Sequence, residues 1–380
     1  MEKQKAILAL EDGKIFKGYS FTGRSEAAGE VVFNTSMSGY QEVLTDPSYA
    51  GQIVAMTYPH IGNYGVNHED VESDRIRVAG FITRQYHQIP SNWRSERSLA
   101  DYLSSAQILG LTGIDTRALT RHIRTRGAMR GIISTEDLDP GSLVGKAQAA
   151  PSMVGLDLVK EVTCKEPYVW VADAHGGEPK TSPEAIEDWA KTEKSYKVVA
   201  LDYGIKYNIL RSLTKTGTKV LVLPAGTPPD DILALDADGI FLSNGPGDPL
   251  AVTYAHDTIR ELLGKKPIFG ICLGHQFIGL ALGGERFKLK FGHRGSNQPV
   301  KDLTTGKIEI TSQNHGFCVD MESLNDRGVK LTHVNLNDNT LEGLEDWSQR
   351  FFSVQYHPEA CPGPHDAAYL FQRFIDLMED

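Results

Sequence analysis

Two rhythms of apolar and polar residues divide this chain. From Lys197 onward, short unbroken apolar runs alternate with stretches of helical period: KVVALD then IKYNILRSLTKTG, KVLVLP, DGIFLS then YAHDTIRELLG, PIFGI then LGHQFIGLALGG. Apolar runs of this length predict strands buried on both faces, and their alternation with helices predicts a parallel sheet wrapped on both sides. The later runs KIEITS, VKLTHV and FFSVQYH are strand-like with few helices between them, so a mixed or antiparallel extension is expected.

The first 150 residues follow a different pattern. AILALEDGKIFKGYSF and GEVVFNTSMSGY predict short strands joined by glycine-containing turns. SLADYLSSAQILGL and DTRALTRHIRTRG predict helices, the second with Asp115 or Thr116 as N-cap and Gly127 as its stop. The expected fold class is therefore α/β: a β-rich α+β domain over 1–150, a connector over 151–195, and an α/β domain over 196–380 with a mixed, mostly parallel sheet. The connector is polar from 171 and holds paired glycines and prolines, with a short helix expected after Ser182-Pro183.

The composition is ordinary for a globular protein, with 40% hydrophobic and 23% charged residues. A net charge of −10 argues against a broad nucleic-acid or anionic-membrane surface. The chain opens without a long apolar core and cleavage site, and no run approaches the roughly 18 apolar residues of a membrane helix. A soluble, cytoplasmic protein is expected. Cys164, Cys272, Cys318 and Cys361 are too few in 380 residues for a disulfide framework.

Ligands of such sheets sit beyond the carboxyl ends of the strands, so the loops after Asp202, Ser243, Ile271 and Gln355 are the ones to inspect. Cys272 lies in one of them, between Gly270 and Gly274. A G-x-C-x-G turn from strand to helix has the form of a nucleophile elbow, with the thiol over a helix N-terminus that favours thiolate. The amide of Leu273 would then face a developing oxyanion. A buried structural cysteine flanked by packing glycines is the alternative. In YHPEA, His357 and Glu359 are two apart, which on extended backbone puts both side chains on one side, a base and its orienter. A metal reading of HPEACPGPH fails, because its three prolines break any helix that would align the ligands and no second C-x-x-C completes a site. NGPGDP, after another strand, exposes glycine amides for an oxyanion or a substrate, or is a plain turn; the chain holds no G-x-x-x-x-G-K-[ST] phosphate loop.

GICLGHQ, NGPGDP, SQNHGF and YHPEA, in this order, resemble the triad-type (class I) glutamine amidotransferases. GEVVFNTSMSGYQEVLTDPSYAGQIVAMTYPHIGNYGVN, GLTGIDTRALTRHIRTRGAMRGII and DYGIKYNILRSL resemble the small, glutamine-hydrolysing subunit of carbamoyl phosphate synthetase, so the likeness covers nearly the whole chain. It implies that Cys272 attacks L-glutamine, that His357 is the base and Glu359 its holder, and that the amides of Leu273 and Gly245 form an oxyanion hole. It implies glutamine contacts at Ser48, Gly245, Gly247, Leu273, Gln276, Asn314, Gly316 and Phe317, with Ser48 contributed by the other domain. It further implies no cofactor on this chain, with ATP and magnesium on a large synthetase subunit that receives the ammonia and makes carbamoyl phosphate for pyrimidine and arginine biosynthesis. In FGHRGSNQPV the chain departs from the resembled loop, which more often reads H-H-G; Arg294 stands at the second histidine. A scaffold that activates the large subunit and a stand-alone thiol hydrolase are the competing readings.

Overall fold

The computed structural model describes residues 4–173, 176–193 and 195–379. Residues 174, 175 and 194 of the expected connector lie outside these. The chain divides into two compact units, Met1–Leu156 with Lys290–Gly295, and Asp157–Leu289 with Ser296–Asp380.

The first unit is built on a closed barrel. Its strands run, in spatial order, Lys5–Leu10, Ile15–Ser20, Leu109–Thr112, Gly80–Ile82, Gln52–Met56, Glu26–Asn34 and Met129–Ser134, the last pairing back onto the first. Leu8, Val31, Ile53, Leu111 and Ile133 belong to one core cluster, joined by Leu119 and Ile123 from the helix Thr116–Arg126. Asp115 is the N-cap of that helix, its carboxylate accepting the Ala118 N–H at 2.9 Å. Gly127, at φ 109°, ends it. The predicted helix SLADYLSSAQILGL is only half right. Its first part is the helix Leu99–Ser105, but Gln107 takes φ 58° and turns the chain into the strand Leu109–Thr112. Leu109 and Leu111 are two apart, the spacing of a strand, and the barrel pairs them in parallel with Gly80–Ile82.

The second unit carries an 11-stranded sheet. At its centre Lys219–Pro224, Lys197–Asp202, Gly239–Leu242, Ile268–Ile271 and Phe351–Val354 lie side by side and parallel. Antiparallel strands extend it on both flanks: Tyr168–Val171 and Glu178–Lys180 on one, Leu341–Asp346, Lys330–Asn335, Arg286–Asp302 and Ile308–Val319 on the other. The expected mostly parallel sheet is thus parallel only in its middle. On the flank built after residue 285 the physical reason is the short connections, such as those before Ile308, Leu341 and Phe351, which antiparallel strands can use and parallel ones cannot. The segment expected as connector holds the short strand Glu178–Lys180 and the helix Pro183–Ala190, whose N-cap Ser182 accepts the Ala185 N–H.

The central strands are apolar on both sides because both sides are covered. Val198 and Ala200 face one cluster with Ile209, Leu213, Phe371 and Phe374 from the helices Tyr207–Lys215 and Tyr369–Glu379. Val199 and Leu201 face the other, with Ile259 and Phe277 from Thr253–Leu262 and Leu273–Ala281. Phe269 stacks on Phe352 at 4.4 Å and meets Phe241 edge-on at 5.3 Å, pairs each worth about 0.5–1.5 kcal/mol beyond area burial. This packing sets the four strand ends from which the site is built. No helix among the described residues is long and apolar enough to cross a membrane.

Candidate active site

Four neighbouring parallel strands end on the same edge, and their following loops bring Lys206, Gly245, Cys272 and His357 into the second unit's site. Cys272 follows Ile268–Ile271 directly and caps the helix Leu273–Ala281, with φ 54° and ψ −100°. A non-glycine residue in such a conformation costs about 1–3 kcal/mol and persists only where its surroundings over-determine it. They do so here. The Cys272 N–H donates to the Val354 carbonyl at 2.9 Å, and the Gly274 N–H to the Ser243 carbonyl at 3.0 Å. A Cβ on Gly274 would lie 2.3 Å from the Leu242 carbonyl oxygen, so the helix approaches the neighbouring strand as only glycine permits. The amide of Leu273 stands at the first helical position, where no intrahelical acceptor exists. The Cys272 thiol is 2% exposed and donates to the Asn314 carbonyl at 3.8 Å.

Gly245 packs against the same turn. A Cβ there would fall 2.0 Å from the Tyr203 carbonyl oxygen and 2.8 Å from the Leu273 side chain. Gly247, two residues on, takes φ 91°. The loop thus lies beside Leu273 through bare backbone.

His357 and Glu359 follow the strand Phe351–Val354. The His357 N–H is fixed to the Ser312 carbonyl at 2.8 Å, and its Nδ1 donates to Glu359 Oε1 at 2.7 Å. That bond leaves Nε2 for the sulfur. Nε2 is buried without a hydrogen bond of ordinary geometry, and Cys272 is near enough to act on the ring electrostatically. Burial pushes the imidazole down, but the Glu359 carboxylate and then Cys272 outweigh it and raise it above its ordinary value, to about 10. Burial likewise pushes Glu359 up; the Lys206 ammonium and then His357 outweigh it and hold the carboxyl low, at about 2.

Lys206 is the member that the sequence reading missed. Its side chain is buried and its Nζ donates to Glu359 Oε1 at 3.0 Å, to the Ala360 carbonyl at 2.8 Å and to the Cys361 carbonyl at 3.2 Å. Its own N–H is held by Asn244 Oδ1 at 3.1 Å, and the neighbouring Asn208 side chain donates to the Glu359 carbonyl. The available signal was its place in one of the four strand-end loops, in DYGIKYN.

The other expected contacts divide between the units. Gln276 donates from Nε2 to the Phe317 carbonyl at 2.8 Å and to Gln355 Oε1 at 3.0 Å, so its oxygen is the part left to accept from a ligand. Asn314, Gly316 and Phe317 lie on the strand Ile308–Val319, whose carbonyls at 314 and 317 meet Cys272 and Gln276. Ser48 belongs to the first unit, on the turn Pro47–Tyr49, where its N–H is held by Asp46 Oδ1 at 2.8 Å. Arg294 is also in the first unit, buried, with its Nη1 donating to the Phe291 carbonyl at 2.7 Å and its own carbonyl accepting from Thr35. His275, next to the cysteine turn, points away to Ser353 Oγ at 2.9 Å, and burial and then His333 push it down to about 3. Cys164, Cys318 and Cys361 are not in disulfides, and burial pushes the Cys164 and Cys318 thiols up.

Residues 8–133 match the family described as the carbamoyl-phosphate synthase small chain, CPSase domain, and 199–377 match class-I glutamine amidotransferase. The carbamoyl phosphate synthase small chain of Syntrophotalea carbinolica is 62% identical, covering 99% of this chain and 98% of its own. Those of Solidesulfovibrio magneticus and Rhodopirellula baltica are 57% and 54% identical, with 98% and 99% of this chain covered and 98% and 96% of theirs. The chain belongs to the carbamoyl phosphate synthase small chain family.

Proposed function

We propose that this chain is the glutaminase subunit of a carbamoyl phosphate synthase, hydrolysing L-glutamine to glutamate and ammonia. One arrangement carries the reading: a thiol on a strained strand-to-helix turn beside a buried imidazole whose other nitrogen is locked to Glu359 and, through it, to Lys206. The turn acts as a nucleophile elbow. His357 takes the Cys272 proton, and the sulfur attacks the side-chain carbonyl carbon of glutamine. The carbonyl electrons move onto oxygen, towards the amides of Leu273 and Gly245, donors worth about 10²–10³ in rate each in such sites. Collapse expels the amide nitrogen, which takes the proton from His357 and leaves as ammonia. Water, deprotonated by His357, then attacks the γ-glutamyl thioester, giving glutamate and the thiol again. Gly247, Gln276, Asn314, Gly316 and Phe317, with Ser48, hold the substrate in this reading.

The chain uses no cofactor of its own. Ammonia passes to a large chain, which uses ATP and magnesium to join it to bicarbonate, supplying pyrimidine and arginine synthesis. Residues 1–150 form the docking domain, and the whole assembly is cytoplasmic. The test is ammonia release from glutamine by native chain and Cys272→Ser, with and without large chain and MgATP. Slow release that rises with the partner and disappears in the variant supports the reading. Equal turnover by both proteins removes Cys272 from the reaction, and fast partner-independent turnover favours a stand-alone hydrolase.

A further inference from the structure

Two segments gathered around Cys272 are tied together by a side chain that belongs to neither. Arg286, the first residue of Arg286–Asp302, donates from Nε to Asp248 Oδ1 at 2.9 Å and from Nη2 to Oδ2 at 2.5 Å. The Asp248 side chain is 1% exposed and that of Arg286 is 17% exposed, so this is a nearly buried two-pronged pair. Asp248 lies one residue after Gly247 and three after Gly245. Its Oδ1 also accepts the Leu250 N–H at 3.1 Å, at the head of the short turn Pro249–Ala251. The face of the same guanidinium lies 5.1 Å from the centre of the Phe317 ring. The Phe317 carbonyl, in turn, accepts from Gln276 Nε2 and from the His315 ring, both at 2.8 Å.

We propose that Arg286 is a positioning residue for glutamine, bracing the Gly245–Gly247 loop and the Gly316–Phe317 segment at a set spacing. The inference rests on the glutamine-hydrolysis reading above. Gly245 and Gly247 offer amides but no side chains, so the loop is held through the residues on either side of them, Asn244 by the Lys206 N–H and Asp248 by Arg286. Arginine suits the task because its in-plane N–H fork and its π face are independent contacts, used here on different segments. Lysine supplies a point charge to Asp248 but neither fork nor face.

The test uses the complex with the large chain. Arg286→Ala should raise the glutamine KM about tenfold and lower kcat by about tenfold as well, because the loosened loop carries both substrate contacts and the Gly245 amide, and Arg286→Lys should fall between it and native. Without substrate, amide hydrogen exchange over 243–251 should be faster in Arg286→Ala. A folded alanine variant with native KM overturns the proposal, as does a raised KM with exchange unchanged. Should the alanine variant fail to fold, Arg286→Lys decides by the same two readings. Glutamine turnover by native chain that survives Cys272→Ser sinks the functional reading instead; the exchange measurement needs no substrate and still tests the brace.

Discussion

Replacing Lys206 by methionine keeps the buried aliphatic stem and removes the charge that holds Glu359 ionised. Three acceptors lose a donor at once: Glu359 Oε1 at 3.0 Å, which keeps His357, and the carbonyls of Ala360 and Cys361. Breaking a buried ion pair from one side costs about 3–5 kcal/mol. For a unit of this size, each kcal/mol moves the midpoint by about 2–4 °C, so its melting transition should fall by about 6–20 °C. With the largest lowering influence gone, burial drives Glu359 up from about 2, and the imidazole loses its orienting partner. Loss of an orienting carboxylate costs about 10⁴ in kcat in the serine triad, so a fall of about 10²–10⁴ is expected.

The pH dependence has a definite sign. A depressed Glu359 contributes stability that is present above its ordinary value of 4.5 and lost as pH falls towards 2. A raised His357 contributes stability that is complete below its ordinary 6.5 and lost as pH climbs towards 10. The Glu359 contribution is the one that Lys206→Met removes, so the stability gap between native and variant should be full above about pH 4.5 and narrow as pH falls towards 2. Calorimetric melts from pH 2 to 7, with ammonia release over the range where both proteins stay folded, check this. A variant with kcat within threefold of native, a midpoint within 2 °C and an unmoved acid limb would refute the argument.

Cys272→Gly and Cys272→Ala should both abolish glutamine hydrolysis, but glycine relieves the φ 54° strain. The glycine variant should therefore be the more stable by about 1 kcal/mol, and a higher melting point for alanine would contradict the strain argument. Gly245→Ala puts a methyl 2.0 Å from the Tyr203 carbonyl and must displace the loop. Its kcat should drop about 10²–10³ with the fold retained; native kcat would remove Gly245 as an oxyanion donor. Asp115→Ala deletes a helix cap in the first unit and should cost about 1 kcal/mol by denaturant titration while leaving glutamine kinetics at native values.

The candidate residues stand out in the sequence because their chemistry and their place in the fold coincide there. Cys272 sits where an apolar run breaks into a helical pattern, and His357 and Glu359 sit just past another such run. Buried strands announce themselves by unbroken apolarity, and the loops at their carboxyl ends follow. Arg286 carried no such mark, and Lys206 none beyond its place in a strand-end loop. A lysine or arginine near a strand end is ordinarily a solvated charge, and nothing local marks one that will be buried. Lys206 meets Glu359 across 153 positions of sequence, and Arg286 meets Asp248 across 38.

Periodicity and glycine spacing by themselves determined the central strands of the sheet and the helices that follow them, and put Cys272 at the step from one to the other. Tertiary structure decided what periodicity cannot carry. It made Leu109–Thr112 a barrel strand, kept the sheet parallel only at its centre, and chose which charges became buried pairs. Local pattern records which face of an element is dry. The partner on that face, and the distance to it, depend on how distant segments close together, and an ion pair is strong only where that closure excludes water.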